Sequence, residues 1–277
     1  ALAGGLRVPL APQGGNTSMV GGATPPEDGS ALILSLRRMN RIRMIDADAG
    51  IAIVDAGVVL SDLHEAALAQ GMRFPLSLGA KGSATIGGLV STNAGGTQVL
   101  RFGTMRKLVL GVEAVLPDGM LFDGLAALKK DTRGYDPNQL LIGAEGTLGV
   151  VTGASLRLVP AIADRCVAWI GVKTPQIALD LLRWLEARSG DAIESFEIMP
   201  AESLALVEAY LADVRIPLTL GHRWHVLIEY VAGQDTQAGL ADLLTGAFEA
   251  GLADDAAISA SETQAEAMWR IRESISA

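Results

Sequence analysis

Residues 9–26 read PLAPQGGNTSMVGGATPP: two Gly pairs, an Asn and three hydroxyl residues, framed by prolines and free of charge. Glycine tolerates positive φ and lets other groups come close to the backbone, so such a stretch can converge successive N–H groups on an anion. Three more stretches follow: PLSLGAKGSATIGGLVSTNAGG (75–96), RFG (101–103) and GAEGTLGVV (143–151). Taken singly, each reads as a hairpin turn or bulge. Turns seldom need Asn16, Thr17, Ser83, Thr85, Ser91, Thr92 and Asn93 interleaved with glycine, whereas a diphosphate and a polar heterocycle need such donors. Neither G-x-G-x-x-G nor G-x-x-x-x-G-K-[ST] occurs, which argues against a Rossmann or P-loop site.

Working outward, the 277 residues carry a formal net charge of −9, the wrong sign for a nucleic-acid groove. The basic cluster RRMNRIR (37–43) reads as a solvated strand face or turn. Cys166 is the single cysteine, so no internal disulfide forms; the residue reads as a small buried hydrophobe and the compartment as reducing. Apolar runs are too short to span a bilayer and no signal-peptide pattern opens the chain, so the expectation is a cytoplasmic protein without a transmembrane segment.

Glycine crowds residues 4–153 and thins afterwards, and the composition changes near Pro160. Before it, short runs rich in Ile and Val separated by Gly, Asp and Pro predict many short strands. The run 59–71 predicts a helix with Ser61 or Asp62 as N-cap and Gly71 as C-cap. After Pro160, strands at 165–173, 192–200, 222–233 and 255–261 alternate with helices at 174–190, 201–214, 236–251 and 263–277, Thr174 capping the first and Pro175 opening it. The strands read as amphipathic, which predicts an antiparallel sheet under helices and not a doubly wound domain. The expected organisation is α+β, with one domain over 1–160 and a second over 161–277.

The glycine stretches, with LGVEAVLPDG (110–119) and KKDTRGYDPNQLLIGAEGTLGVVT (129–152), resemble in order and spacing the FAD-binding domain of the vanillyl-alcohol-oxidase (PCMH) type, within it most nearly D-2-hydroxyglutarate and D-lactate dehydrogenases. The likeness covers nearly all of residues 8–160; the second half is similar in strand and helix order and in MWRIRESIS (268–276), and implies a substrate cap. By this resemblance the backbone amides of Gly14, Gly15 and Asn16 and the hydroxyl of Thr17 would hold the diphosphate of a non-covalent FAD, with Pro12 and Gly21 also among the cofactor-binding residues. Pro75, Gly79, Ala80, Gly82, Ser83, Gly87, Gly88, Ser91, Thr92, Asn93, Gly95, Gly96 and Gly103 would run along the ribityl chain and flavin ring, and Glu145, Gly149, Val150 and Val151 would close the adenine side. Relatives of this type carry a further segment before the Gly-Gly loop and a C-terminal portion with histidines and a carboxylate for a divalent metal. The chain is therefore expected to be part of a longer polypeptide, with the base and any metal site outside it. Arg133 stands where a small polar residue is usual.

Among chemistry-bearing residues, His64 reads as a solvated helix residue. His222 and His225, three apart in a strand, are expected on opposite faces and unable to share a metal, so no metal site is assigned. On the last helix Arg272 and Ser276 share a face, suited to a carboxylate, while Arg270 points elsewhere; an ion pair of Arg272 with Glu273 or Glu266 is the alternative. The resemblance places the 2-hydroxyacid carboxylate on Arg272 with Ser276 beside it. Lys81 is left open between flavin and solvent. The function implied is oxidation of a D-2-hydroxy acid to the 2-oxo acid by hydride transfer to flavin N5. A protein or quinone would take the electrons; a homodimer is left open. The alternatives are a cell-wall-precursor flavin reductase, an aerobic glycolate-type oxidase, and a non-catalytic flavin-binding module.

Overall fold

The computed structural model describes residues 2–275 except Ala127, Lys129, Ala212, Leu220 and Gln234. The chain divides into two compact units: Ala1–Gly96 with Phe102–Ala161, and Thr97–Arg101 with Ile162–Ala277.

In the first unit β1 (Leu10–Gln13) and β2 (Leu32–Ser35) pair in parallel. Strands β3 (Ile42–Asp46), β4 (Ile51–Asp55), β5 (Val109–Val115), β6 (Leu121–Asp123) and β7 (Val150–Arg157) form an antiparallel sheet in the order β3-β4-β7-β5-β6. Ala52 and Val54 of β4 and Ala154 and Leu156 of β7 are fully buried and pack with α1 (Leu60–Leu68) and α2 (Ile86–Ser91) into one core. The start of α1 differs from expectation. Val59 is its N-cap, Ser61 and Asp62 lie inside it, and no side chain caps it. Its first N–H groups find backbone partners instead: Leu60 N–H donates to Ala84 O (2.9 Å) and Ser61 N–H to Lys81 O (3.1 Å). The glycine-bearing loop 79–85 thus closes the helix end, which satisfies orphan donors as well as a hydroxyl would. Gly71, at φ +69°, follows the helix in the left-handed conformation only glycine adopts without strain.

The basic cluster is only partly solvated. Arg41 is exposed, but Arg43 Nε donates to Asp55 Oδ1 (2.5 Å) and its two Nη groups to both oxygens of Glu113 (3.0 and 2.8 Å). Burial alone pushes Asp55 up, and the contacts to Arg43 and Arg41 outweigh it and hold the carboxyl below its ordinary range. Arg43, Asp55 and Glu113 thus tie β3, β4 and β5 together, and Arg41 also donates to Asp55.

The second unit alternates β8 (Cys166–Val172), α3 (Pro175–Ser189), β9 (Ile193–Pro200), α4 (Ala201–Tyr210), β10 (Trp224–Tyr230), α5 (Thr236–Glu249), β11 (Asp255–Ile258) and α6 (Glu262–Ser274). Its sheet is antiparallel in the order β9-β10-β8-β11. Thr174 Oγ1 accepts from Ile177 N–H with Pro175 at the first position of α3, and Ser261 Oγ accepts from Gln264 N–H at the start of α6. Each such cap is worth about 1 kcal/mol.

The two central strands are not amphipathic as expected: every residue of β8 is buried, and all of β10 after Trp224. Helices cover both faces. Leu181 and Leu185 of α3 and Leu240 and Leu244 of α5 pack with Ala168, Ile170, Val226 and Ile228 on one side. Leu204 of α4 and Ala265, Met268 and Ile271 of α6 pack with Val167, Trp169 and Leu227 on the other. The polar residues that made the strands look half-exposed, His225 and Glu229, are buried on this second face.

Candidate functional site

The glycine stretches converge in the first unit. Pro12, Gly14, Gly15, Asn16, Thr17, Ala80, Gly87, Gly88, Ser91, Thr92, Glu145, Val150 and Val151 line one cleft, joined by Gln13, Ser18, Gly22, Ala23, Leu36, Leu78, Ala84, Thr85, Leu89, Ala94 and Gly146. Glu145 is the one charged residue among them. Gly21, Pro75, Gly79, Gly82, Ser83, Asn93, Gly95, Gly96, Gly103 and Gly149 do not line it, and neither does Lys81, which is exposed.

The glycines serve two purposes. A Cβ on Gly14 would stand 2.0 Å from Thr85 Oγ1, one on Gly15 2.0 Å from the Ser83 carbonyl oxygen, and one on Gly96 2.1 Å from that of Ser77. These positions let loop 12–18 lie directly on loop 83–85 and let 96 approach 77, so the missing side chains of Gly15 and Gly96 face protein backbone and that of Gly14 faces the Thr85 side chain. At Gly88 the nearest atom to an added Cβ is Thr85 Oγ1 at 3.4 Å, and at Gly22 it is Glu145 Oε2 at 3.3 Å. These two border free space in the cleft.

Two lining residues hold left-handed backbone without being glycine, Asn16 (φ 54°) and Glu145 (φ 50°). Such a conformation costs about 1–2 kcal/mol for an ordinary L-residue, and it lets neighbouring N–H groups converge. Among the described residues, none of the turn and loop hydrogen bonds is donated by the N–H of Gly15, Asn16 or Thr17. Thr85 Oγ1 is buried in the cleft wall with no hydrogen-bond partner, and although Thr85 precedes α2 it does not cap it. An unpaired buried hydroxyl costs about 1–3 kcal/mol, so this one is set for an external partner. Neutral donors, strained turns and an idle hydroxyl fit a diphosphate-bearing cofactor. Gly22 and Gly146 were absent from the residues expected at the site, and Thr85 was named there only as one of the donors interleaved with glycine, without a place along the cofactor.

Asn93 is engaged elsewhere: its Oδ1 accepts from Arg106 N–H (2.9 Å), and Arg106 in turn donates to the carbonyls of Gln139 and Ile142. Asn93 (φ 47°) therefore braces the wall behind the cleft. Arg133 is exposed and paired with Asp131 at 2.6 Å. His64 is half-buried, not solvated; its Nε2 lies 3.0 Å from Leu76 O, and burial holds the imidazole below its ordinary range.

In the second unit Arg272 Nε and Nη2 both donate to Glu197 Oε2 (2.8 and 2.7 Å), so its ion pair reaches across to β9 and not along α6. Ser276 lies outside the described residues. Arg270 pairs with exposed Asp213 at 2.7 Å. The histidines overturn their expected separation: His222 precedes β10, and its ring meets that of His225 edge-on with centroids 6.0 Å apart. The turn before the strand, not strand alternation, aims His222. Trp169 Nε1–H donates to His225 Nδ1 (3.0 Å), which fixes the proton of a neutral His225 on Nε2, and that atom is buried without a partner. No group of three or more His, Cys, Asp or Glu is arranged for a metal among the described residues. Cys166 is buried, its thiol pushed up by burial, and is suited to packing and not to nucleophilic attack. No described helix is long and apolar enough to cross a membrane.

Comparison with known proteins assigns both units. Residues 1–124 match the FAD binding domain family and residues 162–277 the C-terminal domain of FAD linked oxidases. The chain is 38% identical over 97% of its length to a mitochondrial D-2-hydroxyglutarate dehydrogenase of Arabidopsis thaliana and 40% identical over 95% to one of Bos taurus, covering 48% of each. It is 35% identical over 97% to a putative mitochondrial D-lactate dehydrogenase of Schizosaccharomyces pombe, covering 51% of it. The chain thus spans about half the length of the curated relatives it matches. In fold it is similar to an alkyldihydroxyacetonephosphate synthase, with TM-score 0.75 at 20% identity, covering 97% of this chain and 51% of that one.

Proposed function

We propose, from the match of residues 1–124 to the FAD binding domain family and of residues 162–277 to the C-terminal domain of FAD linked oxidases, that the chain works in an FAD-dependent dehydrogenase oxidising a D-2-hydroxy acid of the 2-hydroxyglutarate or lactate type. The observation that carries the proposal is the cleft, lined by neutral groups apart from Glu145, with its idle Thr85 hydroxyl and left-handed Asn16 and Glu145. The names of the relatives at 35–40% identity supply the substrate class.

In this reading residues 1–160 form the cofactor domain and 161–277 the substrate cap. The N–H groups of Gly15, Asn16 and Thr17 hold the diphosphate; Thr85, Ser91 and Thr92 donate to the polar chain and ring, and Glu145 accepts from a hydroxyl or amine. Gly14, Gly87 and Gly96 bring the loops close enough for those donors to converge. When bound, FAD would supply a hydride acceptor for the substrate α-carbon and a two-electron carrier. Arg272, in the C-terminal domain, receives the substrate carboxylate, with Ser276 as a second polar contact. No described histidine lines the cleft, so we assign no base. The electrons leave to a protein or quinone. The lone buried Cys166 suits a reducing compartment, which we read as cytoplasmic, whereas the relatives named above are mitochondrial.

The test is steady-state reduction of an artificial dye by the flavin-loaded protein with D-2-hydroxyglutarate, D-lactate and their L-enantiomers. We expect turnover of a D-acid alone, and Arg272→Ala should lower kcat/KM about tenfold to a few hundredfold, since a charge-assisted hydrogen bond contributes about 1.5–3 kcal/mol. Arg272→Lys should recover part, keeping the charge but losing the planar fork. Peroxide release in air would favour an oxidase. Silence toward every hydroxy acid would favour a flavin-binding module.

A further inference from the structure

If Arg272 grips a carboxylate, something must hold its long side chain ready, and the second unit contains that device. Both Nε and Nη2 of Arg272 donate to one oxygen, Oε2 of Glu197. Glu197 sits on β9 opposite Leu227 of β10, on the sheet face that α4 and α6 cover. The two side chains are mostly buried, 30% and 22% exposed. By contrast the Arg270–Asp213 pair on the same helix is more than half exposed at both ends and is an ordinary surface pair.

A guanidinium offers two forked edges, Nε with Nη2 and Nη1 with Nη2. Glu197 occupies the first with a single oxygen, and no described residue hydrogen-bonds Nη1. We propose that Glu197 is a positioning residue: by clamping the Nε–Nη2 edge it presents the Nη1–Nη2 edge of Arg272 as a fixed fork for the carboxylate of the 2-hydroxy acid. This rests on the reading of Arg272 given above. Two effects compete. Glu197 carries a negative charge toward the incoming anion, which weakens attraction, and it removes the cost of ordering a flexible arginine at the moment of binding. At a partly exposed site the repulsion is screened, while the ordering cost is not, so the clamp should strengthen binding. The sign of the effect on removing Glu197 therefore separates a clamp from a simple neutralising partner.

The experiment titrates flavin-loaded protein calorimetrically with oxalate, a planar carboxylate that cannot be oxidised as a hydroxy acid, and measures KM and kcat for the best D-2-hydroxy acid in parallel. Glu197→Ala should weaken oxalate about three- to tenfold and raise KM by a similar factor, with kcat changed by less than about threefold. Glu197→Gln, which keeps an acceptor oxygen at the same reach, should recover most of the loss. The double variant with Arg272→Ala should bind no more weakly than Arg272→Ala alone, because Glu197 acts through that residue. If Glu197→Ala does not fold, Glu197→Asp, which withdraws the carboxylate by one methylene, carries the test with the same sign. Oxalate bound as tightly or more tightly by Glu197→Ala while Arg272→Ala loses it would overturn the clamp and leave the Arg272 reading standing. Oxalate binding indifferent to Arg272→Ala would overturn both.

Discussion

The cleft of the first unit is lined by backbone, small side chains and hydroxyls with Glu145 as its one charge, whereas the sheet of the second unit sets Glu194, Glu197 and Glu229 against Arg101, Arg272 and Arg165. Both arrangements manage charge away from water, by different means. Where the charge is to come from a cofactor, the protein supplies neutral donors and strained turns. Where charges belong to the chain, each buried carboxylate has a cation and further donors: Glu229, raised by burial, accepts from Arg165 Nη1 (2.9 Å) and Trp269 Nε1 (2.8 Å). The first device is local in sequence; the second depends on strand register.

The sharpest way to break the comparison is at two glycines of the first unit. In Gly15→Val the branched side chain would fall on the Ser83 carbonyl, so we expect loss of FAD retention together with destabilisation of about 1–3 kcal/mol or more. In Gly88→Leu the added Cβ meets only Thr85 Oγ1, at 3.4 Å, and we expect the rest of the side chain to fill the cleft that Gly88 lines. The fold should survive while FAD binds about a hundredfold more weakly or worse. Circular-dichroism melts and FAD titration of the apoprotein separate the two. If both variants keep parent stability and flavin, the glycine loops are ordinary turns.

A smaller effect is expected at Thr85→Val. If the idle hydroxyl pairs with the cofactor, FAD affinity should fall about three- to tenfold while the apoprotein melts no lower than the parent, because an unpaired buried polar group has been removed. A variant that binds FAD as the parent does would leave the hydroxyl unexplained.

The smallest effect concerns the second unit and pH. Burial, and then the neighbouring His222, hold His225 below the ordinary imidazole range. The unfolded chain then binds the proton more readily, so stability is full above about pH 6.5 and declines as the pH falls toward the folded-state value. All four tryptophans, Trp169, Trp184, Trp224 and Trp269, lie in this unit, so their fluorescence reports its unfolding. Between pH 7 and pH 5 we expect stability to fall, with most of the slope removed in His225→Gln, whose amide oxygen can still accept from Trp169 Nε1. Equal slopes in parent and variant would place the titration elsewhere.

How much was legible follows the same division. The cleft was readable because its parts are short contiguous stretches, each with its chemistry in the local pattern, and the cap Thr174 acts within one turn of its helix, whereas Ser261, read as the end of a strand, caps the last helix. The roles of individual glycines were not readable: the need for Gly15 comes from Ser83, far along the chain, and only the folded backbone shows it. Loop 79–85 replaced Ser61 and Asp62 at the start of α1 for the same reason. In the second unit periodicity located strands and helices, but alternation misjudged His222 because it lies in the turn before β10. Nothing local couples Glu197 to Arg272, 75 residues apart.

The account stands most directly on the flavin itself. Protein loaded with FAD and washed free of excess is precipitated with acid, and the supernatant and pellet are assayed for flavin by absorbance and chromatography. Because no described residue lining the cleft is a His, Cys or Tyr that could form a bond with the ring, we predict one FAD per chain, released intact into a yellow supernatant over a colourless pellet. Flavin retained in the pellet, or a protein that takes up no FAD at all, would contradict it.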